Sequence, residues 1–277
     1  MAGSPAAGCA GGINDANMYD VDPHVAEIYD QVENYETDVD LLRSLIAPAT
    51  AQRILEPFCG TGRIAIPLAC DGHRLVGLDQ AEGMLDRARM KVQALPSATQ
   101  ARIVWQRMDV LAQPWPVAFD VVILGGNCLY ELATPIEQER CIELAAWSLK
   151  AGGWLYVDND HMEGVLAVAW REQGKHTGFP TGICQDGTRL TTTVEPVWFH
   201  INRRLIRYRR CTRVVLASGA VVAQEYTRQV HPVSTGEVEG WLAAHGFEIL
   251  RMFGDRAGGP YSTRSERAIF WARRRSR

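Results

Sequence analysis

Glu56-Pro57-Phe58-Cys59-Gly60-Thr61-Gly62 follows the short apolar run Arg53-Ile54-Leu55 and leads into a helical pattern over 63–70. A strand that ends in a glycine turn and opens a helix lets a ligand approach backbone N–H groups closely. The next apolar run, Arg74 to Asp79, ends in a carboxylate that can accept hydrogen bonds from a ribose diol. Taken alone this pattern is ambiguous, because Gly60-x-Gly62-x-x-Ala65 also satisfies a loose dinucleotide fingerprint.

Outward from the loop, strand and helix patterns alternate. Apolar spacing predicts helices over 40–47, 81–95 and 135–149, the last opened by Pro135 and closed by Gly152-Gly153. Runs at 103–106, 119–124 and 154–158 read as the third, fourth and fifth strands. Five strands separated by helices predict an α/β fold with a doubly wound parallel sheet. The pattern then changes. The stretches 188–198, 203–216 and 221–230 are β-rich and have no helices between them, so they should form a small antiparallel insertion. A final helix over 234–245, N-capped by Ser234 or Thr235, is followed by strands at 247–253 and 268–273. They complete a Rossmann-like seven-stranded sheet with a C-terminal antiparallel hairpin. The expected organisation is 1–17 disordered, 18–48 a helical lid, 49–159 with 232–277 the core, and 160–231 an inserted lid sheet over the substrate.

Bulk properties narrow the function classes. The chain has 277 residues, 47% of them hydrophobic, with net charge −3 and pI about 6.2, so no polyanion-binding surface is expected. The basic tail at 273–277 reads as a solvated end. The seven cysteines, Cys9, Cys59, Cys70, Cys128, Cys141, Cys184 and Cys211, include no Cys-x-x-Cys pair, so no metal site is expected. The N-terminus lacks a basic segment followed by an apolar one, and no run approaches the ~18 apolar residues of a membrane span. A cytoplasmic location is expected, with no nucleic-acid or membrane partner.

Three details favour one cofactor. Glu56, at the strand end, would repel a pyrophosphate and suits an ammonium group. Asp109, after the third strand, can accept from an adenine amino group. The terminal hairpin belongs to a sheet with an antiparallel edge. With these residues the chain resembles class I methyltransferases dependent on S-adenosylmethionine. Their motif is an acidic residue followed by x-G-x-G-x-G, matched here by Glu56, Phe58 in place of the first glycine, Gly60 and Gly62. The resemblance implies that Glu56, Gly60 and Gly62 hold the methionine portion, Asp79 the ribose, and Asp109 with Val110 the adenine. It extends the cofactor site to Tyr19, Tyr29, Phe58, Arg63, Gln80, Met84, Gly125 and Gly126, and it implies S-adenosylhomocysteine as product. Bland readings stand beside these: a tight turn for the glycines, a helix cap for Asp79, a loop aspartate at 109, core packing for Met84.

The acceptor side is less legible. Gly125-Gly126-Asn127-Cys128-Leu129-Tyr130 is similar to the Gly-Asn-Ser-aromatic stretch of glycine and sarcosine N-methyltransferases, and Asp158-Asn159-Asp160-His161 to the polar end of their fifth strand. Tyr19, Tyr29 and Tyr35 resemble a tyrosine-bearing lid that excludes water. The resemblance implies methyl transfer to a small-molecule acceptor, an amine nitrogen first. His161, Tyr130 and Asn127 are the catalytic candidates; His161 first, or else Asp160 or Tyr130, would take the proton and Asn127 would orient the acceptor. His231 is a second histidine candidate. The arginines at 203, 204, 207, 209, 210 and 213 read as a solvated face, with an anion-holding role as the alternative. O- or C-methylation, another reaction of the sulfonium and NAD(P)-dependent oxidation remain alternatives, and a homodimer is the assembly considered.

Overall fold

A computed structural model describes residues 17–46, 50–163 and 174–275. The expected disorder before residue 17 and the helix stop at Pro48 lie outside them. Two short helices, α1 (Val25–Val32) and α2 (Thr37–Leu45), precede β1 (Arg53–Pro57). Then come α3 (Ala65–Cys70), β2 (Arg74–Asp79), α4 (Glu82–Gln93), α5 (Ser97–Gln100), β3 (Ile103–Arg107) and β4 (Phe119–Leu124). The 3-10 turn Cys128–Glu131 leads to α6 (Pro135–Ser148) and β5 (Leu149–Asp160). Next are β6 (His176–Ile183), β7 (Arg189–His200), β8 (Leu205–Val215) and β9 (Val221–Val230). The described chain closes with α7 (Thr235–Ala244), β10 (Phe247–Phe253) and β11 (Arg267–Arg274).

The main sheet has seven strands in the order β10-β11-β5-β4-β1-β2-β3. The five from β3 to β5 run parallel, and β11 and β10 pair antiparallel at the edge. Alternation along the strands splits the core in two. Leu55, Leu78, Val122, Leu124, Leu155 and Val157 pack on one face; Ile54, Leu75, Val121, Ile123 and Tyr156 pack on the other. Both faces are covered, which is why these runs are apolar throughout. The strand order reverses between β1 and β4, and the crevice beyond their carboxyl ends is where such sheets bind ligands.

Several local readings shift. The fifth strand begins at Leu149, paired with Phe119 of β4, and runs through Gly152-Gly153 to the stretch from Trp154 that β4 and β11 flank on both sides. Helix α3 starts at Ala65 rather than 63, after the left-handed Gly62. Ser234 is the cap of α7, in a reciprocal box with Glu237. The inserted sheet, β6-β7-β8-β9, is antiparallel and has four strands where the sequence suggested three. The additional one, β6, is anchored by its ladder to β7.

Candidate active site

The glycine loop makes three left-handed residues at alternate positions: Phe58 (φ 61°), Gly60 (φ 53°) and Gly62 (φ 76°). These are the three positions of the x-G-x-G-x-G pattern, so the glycines there answer a backbone demand. Phe58 meets the same demand with a bulky side chain, at a cost of about 1–2 kcal/mol. The turn brings the Gly60 N–H to Asp79 Oδ2 (2.8 Å) and the Cys59 N–H to the Leu78 carbonyl (3.0 Å). Asp79 Oδ1 also accepts from the Ala81 N–H (2.9 Å). Burial pushes the Asp79 carboxyl up to about 6, against the pull of those two N–H groups.

A cavity of about 650 Å³ opens at the strand switch point. Tyr19, Tyr29, Glu56, Phe58, Gly60, Arg63, Asp79, Gln80, Met84, Asp109, Val110, Gly125, Gly126 and Asn127 line it. Gly62 does not. A Cβ there would sit 2.5 Å from the Trp105 ring, so this glycine lets β3 pack against the loop. Asp109 Oδ1 accepts from the Leu111 N–H (2.9 Å), giving it a turn-forming contact beside its place on the wall.

Glu56 is 4% exposed, and its Oε2 has no hydrogen-bond partner among the described residues. Burial pushes this carboxyl up to about 8, although Arg63 pulls it down. Arg63 forms a two-pronged pair with the fully buried Asp38 (2.6 and 2.7 Å), yet its Nε is buried without a partner. An unmet acid and an unmet guanidinium N–H thus lie on one wall. They complement the ammonium and carboxylate of an amino-acid group. The methionine portion of S-adenosylmethionine fits that pair, and Asp79 lines the same cavity.

The lid and insertion close the cavity together. Asp30 of α1 accepts from the Thr61 hydroxyl (2.6 Å) and pairs with Arg87 and Lys91, pinning the lid to the glycine loop. The rings of Tyr19, Tyr29 and Phe179 pack together at 5.8–6.4 Å, joining lid to β6. Tyr35 is sandwiched by the guanidiniums of Arg63 (4.2 Å) and Arg256 (4.5 Å). Arg256 and Arg267 both hold the fully buried Asp158 (2.8 and 2.6 Å), and Arg267 also pairs with Asp160. Asn127 (φ 62°) donates to Asp160 Oδ2 (2.9 Å) and accepts the Asp160 N–H (3.0 Å), tying the β4 loop to β5.

Two of the catalytic candidates are placed away from the cavity. His161 is 6% exposed; its Nδ1 meets the Ser265 carbonyl (2.8 Å) and its Nε2 meets Glu163 (3.1 Å) and Tyr261 (3.3 Å). The β5–β11 ladder turns it toward the C-terminal hairpin. Tyr130 is buried against Tyr208, with its hydroxyl pushed up by burial. His231 is buried between Gln138 (2.7 Å) and Glu237 (3.2 Å). None of the β8 arginines lines the cavity; Arg207 stacks on Trp198 and Arg209 pairs with Glu195. Sequence reading missed Asp38, Phe179, Arg228, Arg256 and Arg267, whose partners lie far away in the chain. For Arg228, the two-residue alternation along β9 was the available signal.

A family profile described as "Methyltransferase domain" matches residues 54–153. Rabbit (Oryctolagus cuniculus) glycine N-methyltransferase is 24% identical over 62% of this chain, which spans about three fifths (61%) of that protein's length. Among solved structures, the CcbJ methyltransferase of Streptomyces caelestis superposes with a TM-score of 0.69 at 20% identity, over 93% of this chain and 98% of its own. The sugar N-methyltransferase KedS8 of Streptoalloteichus gives 0.67 at 19% identity, over 99% and 100%. Over residues 54–153 the chain therefore matches a methyltransferase domain, and over nearly its whole length it shares the fold of these methyltransferases.

Proposed function

We propose that the protein methylates a small-molecule amine. The observation that carries this is the charge of the cavity wall. Glu33, Asp79, Asp109, Glu131, Glu137 and Asp160 face four guanidiniums, those of Arg63, Arg228, Arg256 and Arg267, while burial holds Glu56 protonated. A cleft with excess negative charge concentrates cations and disfavours acids. Its volume, about 650 Å³, suits a cofactor with a small acceptor. Glycine N-methyltransferase and the sugar N-methyltransferase KedS8 are both named for nitrogen acceptors, which supports the same reading.

S-adenosylmethionine, when bound, supplies an electrophilic methyl on a sulfonium leaving group. The chain's part is alignment, exclusion of water and proton handling. Glu56 and Arg63 fix the amino-acid end, and Asp79 with the Gly60 turn fixes the ribose. Tyr19, Tyr29 and Phe179 close the roof against water. An amine must lose its proton before attack. His161 and Tyr130 are turned away, so Asp160, on the wall beside Asn127, is the proposed acceptor of that proton. The test is transfer of a labelled methyl group to matched amine, alcohol and carboxylic acid acceptors, after binding of S-adenosylhomocysteine is verified against an NAD control. Nitrogen-methylated product is expected, and label appearing only on oxygen or carbon would refute the amine reading.

A further inference from the structure

Among the described residues of the inserted sheet, two side chains reach the cavity, Phe179 from β6 and Arg228 from β9. Arg228 is 12% exposed and donates to Glu131 Oε2 (2.6 Å), which the 3-10 turn after β4 presents from the opposite wall. The pair cancels its own charge, yet it keeps both kinds of hydrogen-bonding group in play. A guanidinium carries five N–H donors, and a carboxylate has about four lone-pair sites.

The same face of the sheet continues the pattern. Residues two apart on a strand share a face, so Tyr226 stands beside Arg228, and the ladder places Arg210 opposite Tyr226. Tyr226 is 9% exposed. Its hydroxyl is buried beside the Arg210 guanidinium, and Arg210 Nε and Gln224 Oε1 are buried with no hydrogen-bond partner among the described residues. Such an atom left unmet costs stability. The strip that begins at the cavity wall therefore offers a donor, an acceptor and a hydroxyl able to act as both.

We infer that the Arg228–Glu131 pair, extended by Tyr226, is the acceptor-recognition subsite and takes a neutral, hydroxyl-bearing part of the acceptor. A hydroxyl both donates and accepts, and so matches a wall of mixed character. A carboxylate brought there meets Glu131, and a second ammonium meets Arg228. This inference rests on the amine-methyltransferase reading and adds what surrounds the amine.

The test uses the full chain saturated with S-adenosylhomocysteine and three probes: an aminocyclitol, cyclohexylamine, which has the same ring without hydroxyls, and glycine. Affinities are measured by titration calorimetry. The aminocyclitol is expected to bind at least tenfold tighter than cyclohexylamine, with glycine weakest. Arg228→Met should erase most of that preference and leave cyclohexylamine and S-adenosylhomocysteine within twofold of their unmutated values. Tyr226→Phe removes a single buried hydroxyl, keeps the ring and should fold normally. It is expected to weaken the aminocyclitol about threefold or more, so the inference stays testable if Arg228→Met is unstable. Equal binding of the two ring amines, tightest binding of glycine, or an Arg228→Met loss shared equally by both ring amines would overturn it. A Tyr226→Phe variant unchanged toward the aminocyclitol would show that water satisfies the strip, and would also overturn the Tyr226 assignment. If S-adenosylhomocysteine itself fails to bind, the methyltransferase reading falls first; if it binds and the preference is missing, only this inference falls.

Discussion

Glu56→Gln separates what the site does for binding from what it costs the fold. In the ligand-free protein this carboxyl is buried and pushed up to about 8 from an ordinary value of 4.5. The folded state therefore holds a proton that the unfolded state gives up. The stability linked to Glu56 is fully present below pH 4.5 and is lost as pH rises toward about 8. Gln cannot ionise, so the variant should melt higher than the parent at alkaline pH, and the two should converge in acid. Binding runs the other way. The ammonium of the cofactor favours an ionised Glu56, so a proton must leave as the ligand enters. With a carboxyl near 8, about 0.9 proton should be released at neutral pH. Titration of S-adenosylhomocysteine in two buffers of different ionisation enthalpy measures this directly. The release should vanish in Glu56→Gln. Affinity should fall about 10- to 100-fold, since a hydrogen bond to a charged group contributes about 1.5–3 kcal/mol. 5′-Methylthioadenosine, which lacks the amino-acid group, should bind parent and variant alike. Buffer-independent heats in the parent, or equal affinity of the variant for S-adenosylhomocysteine, would refute the assignment of Glu56 to the ammonium.

Other substitutions probe the rest of the site. Gly62→Ala places a Cβ 2.5 Å from the Trp105 ring at a φ of 76°, and should cost about 2–4 kcal/mol in denaturant unfolding. Arg63→Met strands the fully buried Asp38 and should cost about 3–5 kcal/mol, with a melting point that recovers in part when Asp38→Asn is added. His161→Asn should leave S-adenosylhomocysteine affinity and methyl-transfer rate within about threefold while lowering the melting point, because the ring's bonds go to Ser265, Glu163 and Tyr261; a loss of about 100-fold in rate would restore it as a proton acceptor. Asp79→Asn should weaken 5′-methylthioadenosine as much as S-adenosylhomocysteine, the opposite of the Glu56 pattern, and equal 5′-methylthioadenosine binding would argue against a ribose contact.

The legible parts of this chain are those set by short-range rules. Runs such as Val121-Val122-Ile123-Leu124 announce a strand covered on both faces, and the fold class follows from their alternation with helices. Glu56, Gly60 and Asp79 could be picked out because each stands at or just beyond the end of a short apolar strand. Strand β6 could not. His176-Thr177-Gly178-Phe179-Pro180-Thr181-Gly182-Ile183 contains two glycines and a proline, and it is a strand because β7 supplies its ladder. The charged half of the cavity was hidden for a related reason. Asp158 meets Arg256 and Arg267 across about a hundred positions, and Asp38 meets Arg63 across 25. Each of these arginines looks like a surface residue until the sheet brings its partner to it. His161 is the converse case. Its neighbours in sequence suggested a polar cluster at a strand end, and the pairing of β5 with β11 decided which way it faced.

The stretch that decides the fold is also where the chain breaks most local rules. Glu56 buries a carboxyl with one oxygen unmet, Phe58 holds a left-handed backbone without being glycine, and Asp79 buries a second carboxylate. Each costs stability, and the costs share a geometric cause. The left-handed residues at alternate positions fold the chain back so that the Gly60 N–H reaches Asp79 while the Glu56 side chain stays on the cavity side of the same turn. A loop relaxed into ordinary backbone angles would lose that juxtaposition. Phe58 is then intelligible. Its ring lines the cavity and packs against the core cluster that contains Leu55 and Leu78. Full burial of an aromatic side chain contributes roughly 1.5–3 kcal/mol, and the half-buried Phe58 gains part of that against a left-handed penalty of about 1–2 kcal/mol. The departure from glycine exchanges backbone ease for a packed wall. Glu56 Oε2 and Arg63 Nε remain unpartnered in the protein alone, and a zwitterionic group carried by the cofactor is what would pair them.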